Sequence, residues 1–324
     1  MLTRRLGKSD IEVSALGMGC WAIGGPFYHD GHVVGYGQVD DAESIRAIHT
    51  ALDMGVTLFD TADAYGCGHS ERILGKALVG RHDGVTIATK FGYVPNETTR
   101  KIEGECADAT YIRQACENSL QRLQIDTIDL YQLHIWDWDI KQLPTVRETL
   151  EDMVHEGKIR HYGFSTTDTE RAAIFAEGAH FVALQHGLNI LAEDQGCIDF
   201  CDKHDLASIN RGPLAMGILT GKFHSDTHFA EDDMRHQWDF SQGRMAERLQ
   251  MLDAIRDILT SHGRSLAQGA LAWVWARSER TLPIPGFKSV AQVCDNAGAL
   301  EYGALSPQEF QEVEELMGRV TEGM

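Results

Sequence analysis

Four residues with acid–base capacity each follow a strand-like run. Asp60 closes Val56-Thr57-Leu58-Phe59, and Tyr65 stands on the next turn, which Gly66 ends. Lys90 follows Val85-Thr86-Ile87-Ala88-Thr89, and His134 follows Ile128-Asp129-Leu130-Tyr131-Gln132-Leu133. A phenol is a poor acid at neutral pH, with an ordinary pKa of about 10. A nearby ammonium lowers that value by favouring phenolate, and a carboxylate holds the ammonium in place. A histidine adds a hydrogen bond to the phenol or to a substrate oxygen. Together the four residues describe a tuned proton donor beside an electrophilic carbonyl.

Such residues must be carried on neighbouring strand ends, and the chain supplies the strands. From Asp40 onward it alternates helix-like and strand-like segments. Asp41 opens a helix whose apolar Ile45, Ile48, Ala51 and Leu52 share one face. Further helices are predicted over 70–80, 110–124, 144–157, 168–178, 194–204, 245–261, 265–277, 289–300 and 307–320. Strands are predicted at 15–19, 56–59, 85–89, 128–133, 158–164, 181–185, 206–210 and 281–285. Residues 2–5 and 11–16 flank the turn Gly7-Lys8-Ser9-Asp10 and predict a β-hairpin. Residues 91–108 and 211–244 are predicted as long loops. Eight strands separated mainly by helices predict an α/β fold: a (β/α)₈ TIM barrel with an N-terminal β-hairpin and extra C-terminal helices. Gly17-Met18-Gly19-Cys20-Trp21-Ala22 matches a loose dinucleotide fingerprint, but Gly24-Gly25-Pro26 and a polar loop follow where that motif needs a helix. A Rossmann fold is therefore rejected.

The bulk of the sequence sets bounds. No linker or low-complexity tract divides residues 1–324, which predicts a single domain. A formal charge of −19 argues against nucleic acid or an anionic membrane as partner, since both demand basic patches. Seven scattered cysteines suit reduced thiols better than a disulfide framework. With no leader-like start and no apolar run of about 18 residues, a cytoplasmic location is expected.

The chain resembles the aldo-keto reductases. The residues that carry the resemblance are Asp60-Thr61-Ala62-Asp63-Ala64-Tyr65-Gly66, Thr89-Lys90, Asp129 to His134, Gly163-Phe164-Ser165, Pro213 to Lys222, and Ile284-Pro285-Gly286 with Gln292 and Asn296. The family's catalytic tetrad maps onto Asp60, Tyr65, Lys90 and His134. The family resemblance also implies that the hairpin plugs the bottom of the barrel. The tetrad donates a proton but supplies no hydride, so a nicotinamide cofactor is required. By resemblance Ser165 and Gln185 hold its carboxamide, with Thr166 where Asn is usual. Arg211 replaces a common stacking aromatic, and either stacks through its guanidinium plane or pairs with a loop carboxylate. Pro213, Leu214, Gly217 and Lys222 belong to the loop that meets the pyrophosphate, where Gly217 either frees backbone N–H groups or simply turns the chain. Gly286, Lys288, Ser289, Gln292, Asp295 and Asn296 match the adenosine end, with Gln292 and Asp295 in place of the frequent Arg and Glu. Lys288 and Ser289 can take a phosphate at a helix N-terminus, so NADPH is expected, with NADH as the alternative.

Trp21 and Trp136, on loops after barrel strands, are the favoured walls of a small-molecule carbonyl pocket, and Trp238 and Phe240 lie in a later loop. Each of these aromatics has the alternative of packing its loop onto the barrel. The function implied is NAD(P)H-dependent reduction of aldehydes or ketones, reversible, with Tyr65 as proton donor. An alternative is a cofactor-binding regulatory subunit resembling the potassium-channel β-subunits. Cys67 and His69 do not make a zinc set, and no metal is expected. Oligomeric state is not legible.

Overall fold

The structure, a computed structural model, describes residues 2–192 and 194–319. Its centre is an eight-stranded parallel sheet. In chain order the strands are β3 (Gly17–Gly19), β6 (Leu58–Asp60), β7 (Thr86–Phe91), β10 (Ile128–Leu133), β11 (Ile159–Ser165), β12 (Phe181–Gly187), β13 (Ala207–Arg211) and β14 (Thr281–Pro283). Each pairs with the next, and a parallel bridge between Gly19 and Gly286 joins the two edges. The predicted barrel is therefore what forms.

Before it comes the hairpin β1 (Thr3–Arg5) and β2 (Glu12–Ser14). Its Leu6, Ile11 and Val13 share a buried cluster with Leu58, Ala88, Leu130, Val182, Ala183, Ala207, Ile209 and Leu282. The hairpin thus closes the bottom of the barrel with apolar side chains.

Strand periodicity then builds the other end. Successive side chains alternate between faces, so residues two apart share one. Asp60, Lys90, Gln132 and Gln185 each stand two residues beyond Leu58, Ala88, Leu130 and Ala183, which lie in that cluster. A polar layer therefore sits on the barrel axis directly above an apolar one.

Helices wrap the sheet: α1 (Asp41–Asp53), α2 (His69–Leu78), α3 (Ala109–Leu123), α4 (Leu143–His155), α5 (Thr169–Ala176), α6 (Gln195–His204), α7 (Gly243–Leu259), α8 (Leu266–Arg277), α9 (Val290–Gly298) and α10 (Pro307–Leu316). Asp40, Asp108, Asp168, Asp194, Ser265, Ser289 and Ser306 cap seven of them through side-chain oxygens, as the sequence pattern favours. The last helix stops at Leu316, and the final residue of its predicted span, Val320, lies outside the described residues.

Two predicted loops turn out to be ordered. The polar loop that follows Gly24-Gly25-Pro26 contains β4 (Phe27–His29) and β5 (His32–Val34), and residues 91–108 contain β8 (Tyr93–Asn96) and β9 (Lys101–Glu105). These form a separate four-stranded sheet in the order β5-β4-β9-β8. Tyr93 leaves β7 after Gly92 and faces His134, so this sheet meets the top of the barrel. Of the predicted loop 211–244, residues 212–242 stay irregular apart from a short 3-10 stretch, Ala215–Thr220, while Arg211 ends β13 and Gly243 opens α7.

Candidate active site

The polar layer converges on one buried lysine. The Lys90 ammonium donates to Asp60 Oδ1 at 2.5 Å, to the Thr61 carbonyl at 2.8 Å and to the Tyr65 hydroxyl at 3.1 Å. Lys90 is fully buried and Asp60 is 2 % exposed. Low local dielectric strengthens this pair and makes its separation costly. Three donors and three acceptors are matched, so the ammonium has one position beneath the phenol.

Backbone geometry places the phenol. The turn carrying Tyr65 comes within van der Waals distance of the 3-10 turn Ala22–Gly24, and a Cβ at Gly66 would meet the Gly24 carbonyl at 2.0 Å. Gly66 also has φ +60, where side chains are strained, so glycine is required twice over here. On the outer side of the barrel Glu71 of α2 is fully buried, accepting from Thr89 Oγ at 2.6 Å and from Arg122 Nε at 2.6 Å. The strand carrying Lys90 is thereby tied to two helices.

Electrostatics differ from the sequence expectation at the phenol. Burial pushes the Tyr65 pKa up, and the Lys90 ammonium, pulling it down, does not overcome this. At neutral pH Tyr65 holds its proton. Burial and the charges of Lys90 and Arg211 drive His134 well below the ordinary histidine value, so its imidazole is neutral. The His134 ring meets Tyr65 edge-on at 5.7 Å and Tyr93 edge-on at 5.0 Å. Its Nδ1 is buried without a hydrogen-bond partner. Asp60, Tyr65, Lys90 and His134 are thus brought together as one group.

Gln132 and Gln185 complete it. Both donate to Asp60 Oδ2, at 3.1 and 2.8 Å. A carboxylate only accepts, so each amide must turn its nitrogen toward Asp60. Gln185 therefore offers only its carbonyl oxygen to anything else above it. Gln132 lay unremarked in the strand pattern, although its inward position two residues after Leu130 was a usable signal. Tyr93, beside His134, carried no signal because its segment read as loop.

The remaining candidates line a path along the same end of the barrel. Ser165, at the end of β11, is buried, and Thr166 Oγ caps the Asp168 N–H at 3.1 Å and donates to the Trp136 carbonyl at 3.3 Å. Arg211, at the end of β13, is exposed, and among the described residues no loop carboxylate pairs with it. Its charge acts on both Tyr65 and His134. Pro213 and Leu214 are buried, Lys222 is exposed, and Ala215, Met216 and Gly217 take φ of 48, 55 and 100 in succession. Two non-glycine residues in the left-handed region cost about 1–3 kcal/mol each. The Arg235 guanidinium, donating to the Met216 carbonyl at 3.0 Å, helps hold that turn.

At the far end Ser289 caps α9, accepting from the Gln292 N–H at 3.3 Å. Gln292 Oε1 in turn accepts from the Lys288 N–H at 2.6 Å. The Lys288 ammonium donates to the Tyr36 and Gln38 carbonyls at 2.8 and 2.7 Å. Glu43 of α1 accepts the Val290 N–H at 2.9 Å. Asp295 accepts from Ser265 at 2.6 Å, and Asn296 donates to the Gly286 carbonyl at 3.3 Å. These residues cluster, but most of their donors already serve the fold.

Among the aromatics, Trp21 lies 6.2 Å from Tyr65 and 5.1 Å from Tyr36, beside the phenol. Trp136 is 59 % exposed. Trp238 and Phe240 instead pack with Phe223 and Phe229, the loop-packing alternative. Among the described residues no group of three or more His, Cys, Asp or Glu is arranged to hold a metal ion, and no helix is long and apolar enough to cross a membrane.

Comparison with known proteins gives one consistent picture. The aldo/keto reductase family model matches residues 15–317. The aldo-keto reductase YhdN of Bacillus subtilis is 32% identical over 89% of this chain and 85% of its own. A Schizosaccharomyces pombe aldo-keto reductase named for NADP(+) is 30% identical over 97% of this chain and 90% of its own. Among solved structures, the glycerol dehydrogenase of Gluconobacter oxydans superposes with a TM-score of 0.83 at 30% identity, covering 99% of this chain and 98% of that one. An aldo-keto reductase from Klebsiella pneumoniae, solved with NADPH, superposes with a TM-score of 0.75 at 28% identity, covering 100% and 98%.

Proposed function

The chain belongs to the aldo/keto reductase family, and from that premise we propose that it reduces aldehydes or ketones to alcohols, reversibly, with NADPH as cofactor and Tyr65 as proton donor. The observation that carries this reading is the Lys90 ammonium held at once by Asp60 and by the Tyr65 hydroxyl. Tyr65 keeps its proton at neutral pH, which is what reduction asks of an acid. As negative charge develops on a carbonyl oxygen, the ammonium beneath the phenol favours release of that proton. Neutral His134 donates a hydrogen bond to the same oxygen without competing as an acid.

NADPH supplies the hydride when bound. The residues present suit it: Ser165 pairs in register with Gln185 across β11 and β12, and among the described residues the Gln185 carbonyl oxygen accepts no hydrogen bond and the Arg211 side chain pairs with no carboxylate. The strained turn at Ala215–Gly217 is where irregular backbone would face the pyrophosphate. Relatives named or solved with NADP or NADPH support that cofactor. Because one relative is a glycerol dehydrogenase, small polyols and their aldehydes are the first substrates to assay.

Tyr65→Phe is the test. Loss of a general acid predicts a fall in kcat/KM of about a thousandfold, with NADPH affinity by fluorescence titration unchanged. Turnover equal to that of the unmodified enzyme would refute the assignment.

A further inference from the structure

We propose that Gln132 is a positioning residue for the proton donor: with Gln185 it fixes the second carboxylate oxygen of Asp60, so that the first stays aimed at Lys90 beneath Tyr65. The inference rests on the reading of Tyr65 as proton donor and concerns what holds that donor in tune.

Donor and acceptor accounting carries it. Asp60 Oδ1 is taken by Lys90, and Oδ2 by both amides. Gln185 also donates to Gln132 Oε1 at 3.4 Å, which closes a ring of two amides and one carboxylate oxygen. All three residues are at most 2 % exposed. Water therefore does not stand in for either amide. With one oxygen doubly held, rotation of the carboxylate breaks three hydrogen bonds, each to a charged group and each made in low dielectric.

Space has been made for Gln132 on the neighbouring strand. A Cβ at Gly163 of β11 would lie 3.1 Å from Gln132 Cγ and 3.3 Å from its Oε1, as well as 3.0 Å from the Ala183 carbonyl oxygen of β12. Among the described residues the Gln132 side chain hydrogen-bonds to those of Asp60 and Gln185 alone. Its influence on Lys90 and Tyr65 passes through Asp60, and any influence through Gln185 would be read in NADPH affinity.

The amide dipoles place partial positive charge beside the carboxylate. Removing one leaves the surroundings of Tyr65 more negative, which disfavours phenolate. In reduction, activity falls as pH rises through the Tyr65 titration, so losing Gln132 moves that alkaline limb upward. Replacement of the amide by a carboxylic acid brings the limb down by a separate route, through the ionisation of the new acid itself and the loss of Asp60's position. A protonated Glu still donates to Asp60, but the shared proton leaves as pH rises and the two carboxylates then repel.

The experiment measures kcat/KM against pH for DL-glyceraldehyde, and NADPH affinity by fluorescence, in Gln132→Met and Gln132→Glu. Gln132→Met should lose about tenfold in kcat/KM, the effect of one hydrogen bond to a charged group, with its alkaline limb raised by about half a pH unit and NADPH affinity unchanged. Gln132→Glu should lose activity at lower pH than the unmodified enzyme. Limbs that stay in place in the folded variants, or that move together, would overturn the proposal. The reading of Tyr65 would survive that result, because it stands or falls with Tyr65→Phe.

Discussion

Tyr65 and His134 face each other at 5.7 Å, yet burial acts on their charge states in opposite senses. The phenol is neutral when protonated, so burial raises its pKa; the imidazolium is charged when protonated, so burial lowers its pKa. Both side chains are therefore neutral across the physiological range. The pH profile for reduction follows with its signs. Activity should be level from about pH 6 to pH 9, because His134 titrates well below the ordinary value of about 6.5 and Tyr65 above about 10. A limb near pH 6.5 that disappears in His134→Asn would contradict this. The identities and convergence of these side chains were legible in the sequence, because residue type and strand-end position fix both. The net direction of the phenol's shift was not, since it depends on how burial weighs against one ammonium, and burial is a tertiary quantity.

The elements divide by the strength of their patterns. Strands such as Ile128–Leu133 and helices such as Ala109–Leu123 were recovered to within a residue or so, because inward and outward positions alternate with the right period. The four-stranded cap of β4, β5, β8 and β9 was missed. Its strands are three to five residues long and largely half-buried or exposed, as with Lys101–Glu105, so no apolar face advertises them. The start of α9 was legible as a cap at Ser289, but its occupant was not. Glu43 reaches the Val290 N–H from a helix some 250 residues earlier, while its other oxygen holds Arg46 at 2.6 and 3.1 Å. A carboxylate on that N–H competes with any phosphate placed there. Glu43→Gln should therefore tighten NADPH several-fold while leaving NADH nearly unchanged, as read by paired fluorescence titrations. Equal change for both nucleotides would show that Glu43 does not sense the phosphate.

Scaled to the whole molecule, the chain carries a formal charge of −19 and is asked to bind an anion. The candidate groove offers Arg211, Lys222 and Lys288, with Asp232, Asp233 and Glu43 close to its adenosine end. Lys288 is already committed to two carbonyls, and burial lowers its pKa. Attraction is thus local and repulsion is global, and the two differ in range. The Debye length falls from about 30 Å at 0.01 M salt to about 8 Å at 0.15 M, so added salt removes the global field first. NADPH association should accordingly quicken as salt rises over that interval, while dissociation also quickens as the contacts in the groove are screened. Stopped-flow fluorescence separates the two rates. Association that slows with salt would mean that the groove's cations dominate even at a distance, and that the acidic surface plays no part in how the cofactor arrives.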